Sequence, residues 1–256
     1  MEENKIYCGD CIELMKQIED KSVDMILCDL PYGTTACKWD IIIPFELLWE
    51  EYKRVIKENG VIVLFGQEPF SSYLRLSNIK MYKYDWVWEK SNPANLICAE
   101  KSPLKYHENV LVFYNLQPIY NKQMIERDLR GKNRIIAGQK SGVSFKLSST
   151  EHLKGSKYTE YNPNRYDVNL KNPSTILKIK SERGKLHPTQ KPVELFEYLI
   201  RTYTNEGDLV LDNCIGSGTT AVACKQTNRR FIGIDNNQEY VNIANKRLKL
   251  YNGGGF

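Results

Sequence analysis

Leu209-Val210-Leu211-Asp212-Asn213-Cys214-Ile215-Gly216-Ser217-Gly218-Thr219-Thr220-Ala221 decides the fold: an apolar run ends in an acid, turns through two glycines and enters a helical pattern. Glycines at 216 and 218 let backbone approach a ligand closely, and the crevice at the carboxyl ends of parallel strands is where α/β sheets bind. After the helical stretch Ser217 to Thr227, Phe231-Ile232-Gly233-Ile234-Asp235 reads as a second buried strand, placing a carboxylate 17 residues beyond Gly218. Asp235, with Asn236 beside it, suits the hydroxyls of a ribose, so this half reads as a nucleoside-cofactor site.

The same grammar of short apolar runs and longer periodic ones fills the N-terminal part, which predicts a mostly parallel sheet with crossover helices. Strands are expected at Lys5 to Cys8, Val23 to Cys28 and Gly60 to Gly66, and helices at Ile12 to Ile18 and Phe45 to Ile56, with Pro44 opening the latter. Asp85 to Trp88 and Asn109 to Tyr114 read as further strands at the sheet's edge, where Trp86 and Trp88 are packing residues. Lys90 and His107-Glu108 follow strand ends and are further candidates to face a site. Pro192 to Thr204 and Gln238 to Leu250 complete the helices, and Asp208 to Asp212 is the strand of the opening stretch. Between residues 115 and 186 the alternation stops, and Gly, Ser, Asn and Pro accumulate. The organisation expected is one α/β domain in two halves, 1–114 and 187–256, around an insertion at 115–186. The terminal glycines 253 to 255 read as a frayed tail.

Val23-Asp24-Met25-Ile26-Leu27-Cys28 runs directly into Asp29-Leu30-Pro31-Tyr32-Gly33, which puts a carboxylate, a stiff bend and an aromatic ring at one strand end. Asp, Pro and Gly all form turns, so the pentapeptide alone reads equally as a strand-terminating turn. Its chemistry also suits an exocyclic amine: a carboxylate to accept its hydrogen bonds, a fixed backbone carbonyl beside it, and a ring to stack on a flat base. If the strands at 208 and 231 are followed in space by those at 5, 23 and 60, this site and the glycine turn share one sheet edge, with every crossover of the usual hand.

Bulk properties bound the partners. The chain has 256 residues, 41% of them hydrophobic, a mean hydropathy of −0.49 and no apolar stretch of the ~18 residues that suggest a membrane span. No basic-then-apolar leader opens it, so a cytoplasmic protein is expected. Its net charge is +5, yet residues 115–186 hold 15 Lys/Arg against 6 Asp/Glu, an excess of +9 in that block. Tyr120, Tyr158, Tyr161 and Tyr166 are interleaved with those bases, a composition suited to phosphate contacts and base stacking, although a solvated basic insertion has the same composition. Of seven cysteines, Cys28, Cys214 and Cys224 lie in apolar segments as free thiols do. Cys8 and Cys11 form one C-x-x-C, no second pair exists, and His107, His152 and His187 lack ligand spacing, so no metal is expected.

A dehydrogenase needs its glycines to seat a pyrophosphate on a helix N-terminus. Here Asp212 and the residues after it separate the glycines from the strand end, and a carboxylate is a better neighbour for a cationic amino-acid tail than for a pyrophosphate. S-adenosyl-L-methionine has such a tail. Together, Asp29-Leu30-Pro31-Tyr32 and Asp212 to Thr219 resemble the amino-methylating DNA methyltransferases, and the order of the motifs, with the variable region between them, resembles the β group of that family. His187-Pro188-Thr189-Gln190-Lys191-Pro192 resembles the family's lead into the helix before the cofactor loop, and Gly9-Asp10-Cys11 its contact to the cofactor adenine.

The resemblance implies a Rossmann-like methyltransferase fold with a circularly permuted motif order and an inserted DNA-recognition region. It implies a catalytic set Asp29, Leu30, Pro31 and Tyr32, and a cofactor set Asp10, Cys11, Asp29, Lys191, Asp212, Cys214, Gly216, Ser217, Gly218, Thr219, Asp235 and Asn236. The implied reaction moves a methyl group from S-adenosyl-L-methionine to adenine N6 in a flipped-out base of double-stranded DNA. Cytosine N4 is the alternative amine and a nicotinamide-dependent oxidoreductase the remote one. A homodimer and a restriction endonuclease partner are further implications. Leu30, where the family usually has Pro, is the one departure.

Overall fold

A computed structural model of the protein describes residues 1–34, 40–96, 99–142, 145–146, 160–161, 167–182 and 190–252. The first of its two units, Met1–Asn121 with Thr175–Phe256, begins with strands β1 (Lys5–Cys8), β2 (Val23–Cys28), β3 (Ile56–Gly66), β4 (Tyr82–Ala94) and β5 (Lys105–Phe113). Helices α1 (Cys11–Met15), α2 (Phe45–Val55) and α3 (Phe70–Ser77) connect the first four of these. The second unit, Lys122–Ser174, carries β6 (Ile125–Glu126), α4 (Leu129–Ser141), β7 (Phe145–Lys146), β8 (Glu160–Tyr161) and β9 (Leu170–Lys171). The first unit then resumes with β10 (Ile176–Lys178), α5 (Val193–Tyr203), β11 (Leu209–Asp212), α6 (Thr219–Gln226), β12 (Arg230–Asp235) and α7 (Gln238–Asn252).

Eight strands form one sheet in the order β1-β12-β11-β2-β3-β5-β4-β10. Pairings from β1 to β3 are parallel, β5 runs antiparallel between β3 and β4, and β10 pairs parallel with β4. Successive strand residues point to opposite faces, and both faces are covered, so Met25–Cys28 of β2, Val61–Phe65 of β3 and Leu209–Leu211 of β11 read as continuous apolar runs. Leu27, Val63, Phe65 and Val210 pack with residues of α5 and α6, while Ile26, Ile62, Leu64 and Leu211 pack with α1, α2 and α3. This is the Rossmann-like arrangement expected.

Three differences from the expected layout have local causes. β1 does not follow β11 and β12 toward β2; it takes the outer edge of β12, with Lys5 opposite Ile232 and Cys8 opposite Asp235. The far edge is β10, three residues in the basic stretch and too short to show a period. Helix α3 starts with Phe70-Ser71-Ser72 behind Pro69, and its eight residues bury Phe70, Ser71 and Leu74 on one face, a two-turn pattern too short to stand out between β3 and β4. Trp86 and Trp88 are buried; their indole N–H groups donate to the Tyr203 hydroxyl at 2.6 Å and the Ile179 carbonyl at 2.9 Å, so they pack as expected. Among the described residues no helix is long and apolar enough to cross a membrane.

The second unit is described by itself. β6 pairs antiparallel with β9, and β7 with β8. Asp128 caps α4 by accepting the Gly131 N–H at 2.6 Å, and Gly142 ends it at φ 64°. That helix lies in a stretch the composition had shown only as irregular, although its Asp start and Gly stop are both in the sequence. His187, Tyr158, Tyr166 and residues 253–255 lie outside the described residues.

Phe65 of β3 stacks on Phe196 of α5 with ring centroids 5.1 Å apart and planes 7° from parallel. Phe65→Ala removes that pair from a fully buried position and should destabilise the protein by about 3–5 kcal/mol, measured as the shift in a urea unfolding curve.

Candidate active site

Parallel strands deliver their carboxyl ends to one edge of the sheet, and here the last residues of β12 and β11 are Asp235 and Asp212, with Asp29 next after β2. β4 and β5 run antiparallel to each other, so the end of β4 and the start of β5 reach the same edge, bringing Lys90 and Glu108. The edge position of β1 sets Gly9 beside Asp235, whose carbonyl accepts the Gly9 N–H at 2.9 Å. Asp10 and Cys11 therefore emerge next to the candidate ribose carboxylate.

Within the pentapeptide, the Tyr32 hydroxyl donates to Asp29 Oδ1 at 2.7 Å, and the Tyr32 ring stacks on Phe70 at 5.0 Å. Asp40 fastens the turn that follows, accepting the Gly33 and Thr34 N–H groups at 2.8 and 2.9 Å. Leu30 is 4% exposed and packs in the core beneath α1 to α3. An apolar anchor thus fills the position where the family usually has a ring, and the carboxylate and aromatic flank it on the open side.

The second oxygen of Asp29 accepts a hydrogen bond from Lys191 Nζ at 2.5 Å. Lys191 also faces Glu108 Oε2 at 3.1 Å, and Lys90 pairs with Glu108 Oε1. Gln67 Nε2 donates to Glu108 Oε1 at 3.1 Å. Burial disfavours the Glu108 charge, but the ammonium groups of Lys191 and Lys90 outweigh it and hold the carboxyl well below its usual range. Burial likewise works against the Lys191 charge, and Asp29 and Glu108 reverse this and raise it above the normal lysine value. The Lys191 ammonium lies 5.4 Å from the Phe65 ring centroid and 5.9 Å from that of Tyr32.

The glycine turn is shaped from below. Gly218 has φ +83°, and a Cβ there would sit 2.8 Å from the Ala244 Cβ, so the position excludes any side chain. Gly216 has φ +52°, and among the described residues a Cβ there would meet nothing within 4 Å, which leaves space for a ligand against bare backbone. Asp235 accepts the Gly216 N–H at 2.9 Å through Oδ2 and the Asn237 N–H at 2.9 Å through Oδ1. Buried Arg247 donates to Thr219 Oγ1 at 3.1 Å, and Thr219 reaches the Lys191 carbonyl at 3.4 Å. Ser217 meets Gln190 at 3.4 Å. Residues 190 and 191 therefore touch the glycine turn through backbone and side chain, while the Lys191 ammonium touches the pentapeptide.

Asp212 has both oxygens engaged, one by the Thr220 hydroxyl and the other by the Cys214 N–H at 3.0 Å. It therefore braces the strand-to-helix turn from inside. Next to it, Tyr52 donates to Asn213 at 2.5 Å, and Cys214 lies in hydrogen-bond contact with Cys11 and Cys28. The Cys11 thiol is pushed up by that contact and by burial, so this cluster is protonated. Among the described residues no group of His, Cys, Asp or Glu could hold a metal ion.

Burial pushes the Asp212 carboxyl up to about 7, against the Thr220 and Cys214 hydrogen bonds that favour its charge. Below about pH 4 the acid is protonated folded or unfolded; from there to about pH 7 the folded protein keeps a proton that the unfolded chain has shed, so stability falls as pH rises. Asp212→Asn should remove that slope. Its stability relative to the wild type should climb between pH 4 and 7 in urea titrations, and a difference independent of pH would contradict the raised value.

Comparison with known proteins gives the family and repeats the fold. The sequence profile of the N6/N4 methyltransferase family, described as DNA methylase, matches residues 23–246. The Type II methyltransferase M1.MboII of Moraxella bovis is 30% identical over 262 residues, covering 96% of this chain and 96% of its own. The Type II methyltransferase M.HpaI of Haemophilus parainfluenzae is 29% identical over 264 residues, covering 96% of this chain and 74% of its own. Among solved structures, the M1.HpyAVI–SAM complex superposes with a TM-score of 0.61 at 27% identity, covering 95% of this chain and 98% of its own. The cytosine-N4-specific PvuII DNA methyltransferase superposes with a TM-score of 0.65 at 16% identity, covering 94% and 85%, a likeness of fold. With the profile spanning both motifs and the helices and strands that carry them, the chain belongs to the N6/N4 family of DNA methylases.

Proposed function

We propose that this methylase transfers a methyl group from S-adenosylmethionine to the N6 amino group of an adenine turned out of duplex DNA. The observation that carries the reading is Asp29, a carboxylate at the end of β2, one strand over from the glycine turn and fastened to it through Lys191. When bound, S-adenosylmethionine supplies an electrophilic methyl group on a sulfonium. Asp235, Asn236, Asp10 and Cys11 would take its adenosine, and the backbone at Gly216 with Ser217 to Thr219 the rest; the Gly9–Asp235 hydrogen bond that brings Asp10 and Cys11 beside Asp235 supports this reading. Lys191 and Asp212, both buried, hold the shape of that pocket.

An exocyclic amine is a weak nucleophile because its lone pair is delocalised into the ring. Donating to Asp29 and to the Leu30 or Pro31 carbonyl would draw it toward tetrahedral geometry, and the carboxylate would stabilise the charge that develops on nitrogen. Tyr32 flanks that position and would stack on the base. Asp at position 29 favours adenine by the family likeness; cytosine N4 stays the second reading because the family includes both amines. The relatives' name of Type II methyltransferase supports pairing with a restriction endonuclease in a bacterial cytoplasm, and a homodimer rests on the family likeness.

Helix α4 is the part of the second unit best suited to DNA. It carries Arg130, Lys132, Arg134 and Lys140 with no acid, and of its thirteen residues only Ile135 is buried. Arg130, Asn133, Arg134, Ala137 and Lys140 are exposed at helical spacing, a stripe that matches the polyanionic major groove in charge and in width.

Asp29→Ala should lower methyl transfer to DNA by roughly 10³-fold or more while calorimetry shows S-adenosylmethionine still bound. Full activity in that variant would sink the assignment. Arg134→Ala should weaken DNA binding and reduce the slope of log affinity against log salt by about one if it meets a phosphate, or relax the recognised word at one base if it meets a base edge. Unchanged binding and unchanged word would remove α4 from the interface.

A further inference from the structure

Lys191 Nζ stands between two carboxylates, donating to Asp29 Oδ2 at 2.5 Å and facing Glu108 Oε2 at 3.1 Å. The two acceptors differ in what else they hold. Asp29 also takes the Tyr32 hydroxyl, and its side chain is 26% exposed, whereas that of Glu108 is 6% exposed. Glu108 Oε1 is pinned by Gln67 and Lys90, while its buried Oε2 has the Lys191 ammonium, 3.1 Å away, as its ion-pair partner among the described residues. A buried carboxylate oxygen whose donor is shared with another acid is under-satisfied, and the ammonium that donates to Asp29 has further protons to give. At 2.5 and 3.1 Å from the two carboxylates, the ammonium already lies within reach of both acceptors.

The arrangement matters for the reaction proposed above. As the target amine docks, its nitrogen gains positive charge, and an ammonium on the same carboxylate opposes that gain. We propose that Glu108 is a positioning residue that draws the Lys191 ammonium off Asp29 as the amine arrives, freeing the Asp29 charge for the transition state. No proton changes hands: Lys191 stays an ammonium and Glu108 a carboxylate, and one hydrogen bond is exchanged for another. Lys90 keeps Glu108 oriented with Oε2 toward Lys191. In the DNA-free protein Lys191 neutralises the partly exposed carboxylate, so Asp29 is uncovered only when a base is present.

The inference rests on the methyl-transfer reading, and kcat and cofactor affinity in four proteins separate the two. They are the wild type, Glu108→Gln, Lys191→Met and the double variant, assayed at saturating DNA and S-adenosylmethionine. Glu108→Gln strands Lys191 on Asp29 and should lower kcat by roughly tenfold to a hundredfold, with the cofactor dissociation constant unchanged. Adding Lys191→Met removes the stranded cation and should raise kcat again, by roughly tenfold over Glu108→Gln alone. If Glu108→Gln no longer binds cofactor, Glu108→Asp, which keeps the charge at shorter reach, carries the same comparison. A double variant no faster than the single Glu108 variant would overturn the handover and leave Glu108 a structural group. A wild type that transfers no methyl group to DNA would instead overturn the reading beneath it.

Discussion

The ammonium of Lys191 is buried, and a buried charge must be met by opposite charge or leave the protein's interior. Here it is met by Asp29, 162 residues away in the chain, and by Glu108. Removing one partner of such a pair costs about 3–5 kcal/mol, mostly because the other is left uncompensated. This single requirement ties the pentapeptide after β2 to the segment before α5, and the Thr219 contact with the Lys191 carbonyl extends the tie to the glycine turn. Geometry at the reacting edge therefore depends on the ion network as much as on the sheet.

The sheet supplies the rest. Parallel pairing of β12, β11 and β2 sets their carboxyl ends in a row, so Asp235, Asp212 and Asp29 stand side by side whatever their order in sequence. Their duties divide by what each oxygen already holds. Asp212 is consumed by Thr220 and Cys214 and braces the turn; Asp235 fixes the backbone of Gly216 and Asn237 from an edge open to a ligand; Asp29 alone pairs with a cation that has a second carboxylate within reach.

Much of this was legible in the sequence, for physical reasons. β2, β11 and β12 each run through three or four apolar residues to an acid at or just after the strand end, because stretches covered on both faces must be apolar and their ends carry the chemistry. The glycine turn was legible because Gly218 cannot hold a Cβ against Ala244. Other features were not. β10 is too short for any periodicity, α3 spans only eight residues although Phe70 and Leu74 share one face, and α4 buries a single residue and so shows no apolar stripe. Leu30 looked like a departure and proved to be a core residue. Lys90 and Glu108 were visible only as polar residues at strand ends, since nothing local tells that β4 and β5 bring them to the carboxylate of β2.

Which amine Asp29 serves decides the chemistry of the site. Duplex DNA incubated with the protein and S-adenosylmethionine, then digested to nucleosides and resolved by mass spectrometry, gives the answer in one measurement. The account predicts N6-methyladenine as the new nucleoside, formed in proportion to the enzyme's turnover. N4-methylcytosine in its place would contradict the adenine assignment, and unmodified DNA would contradict the function itself.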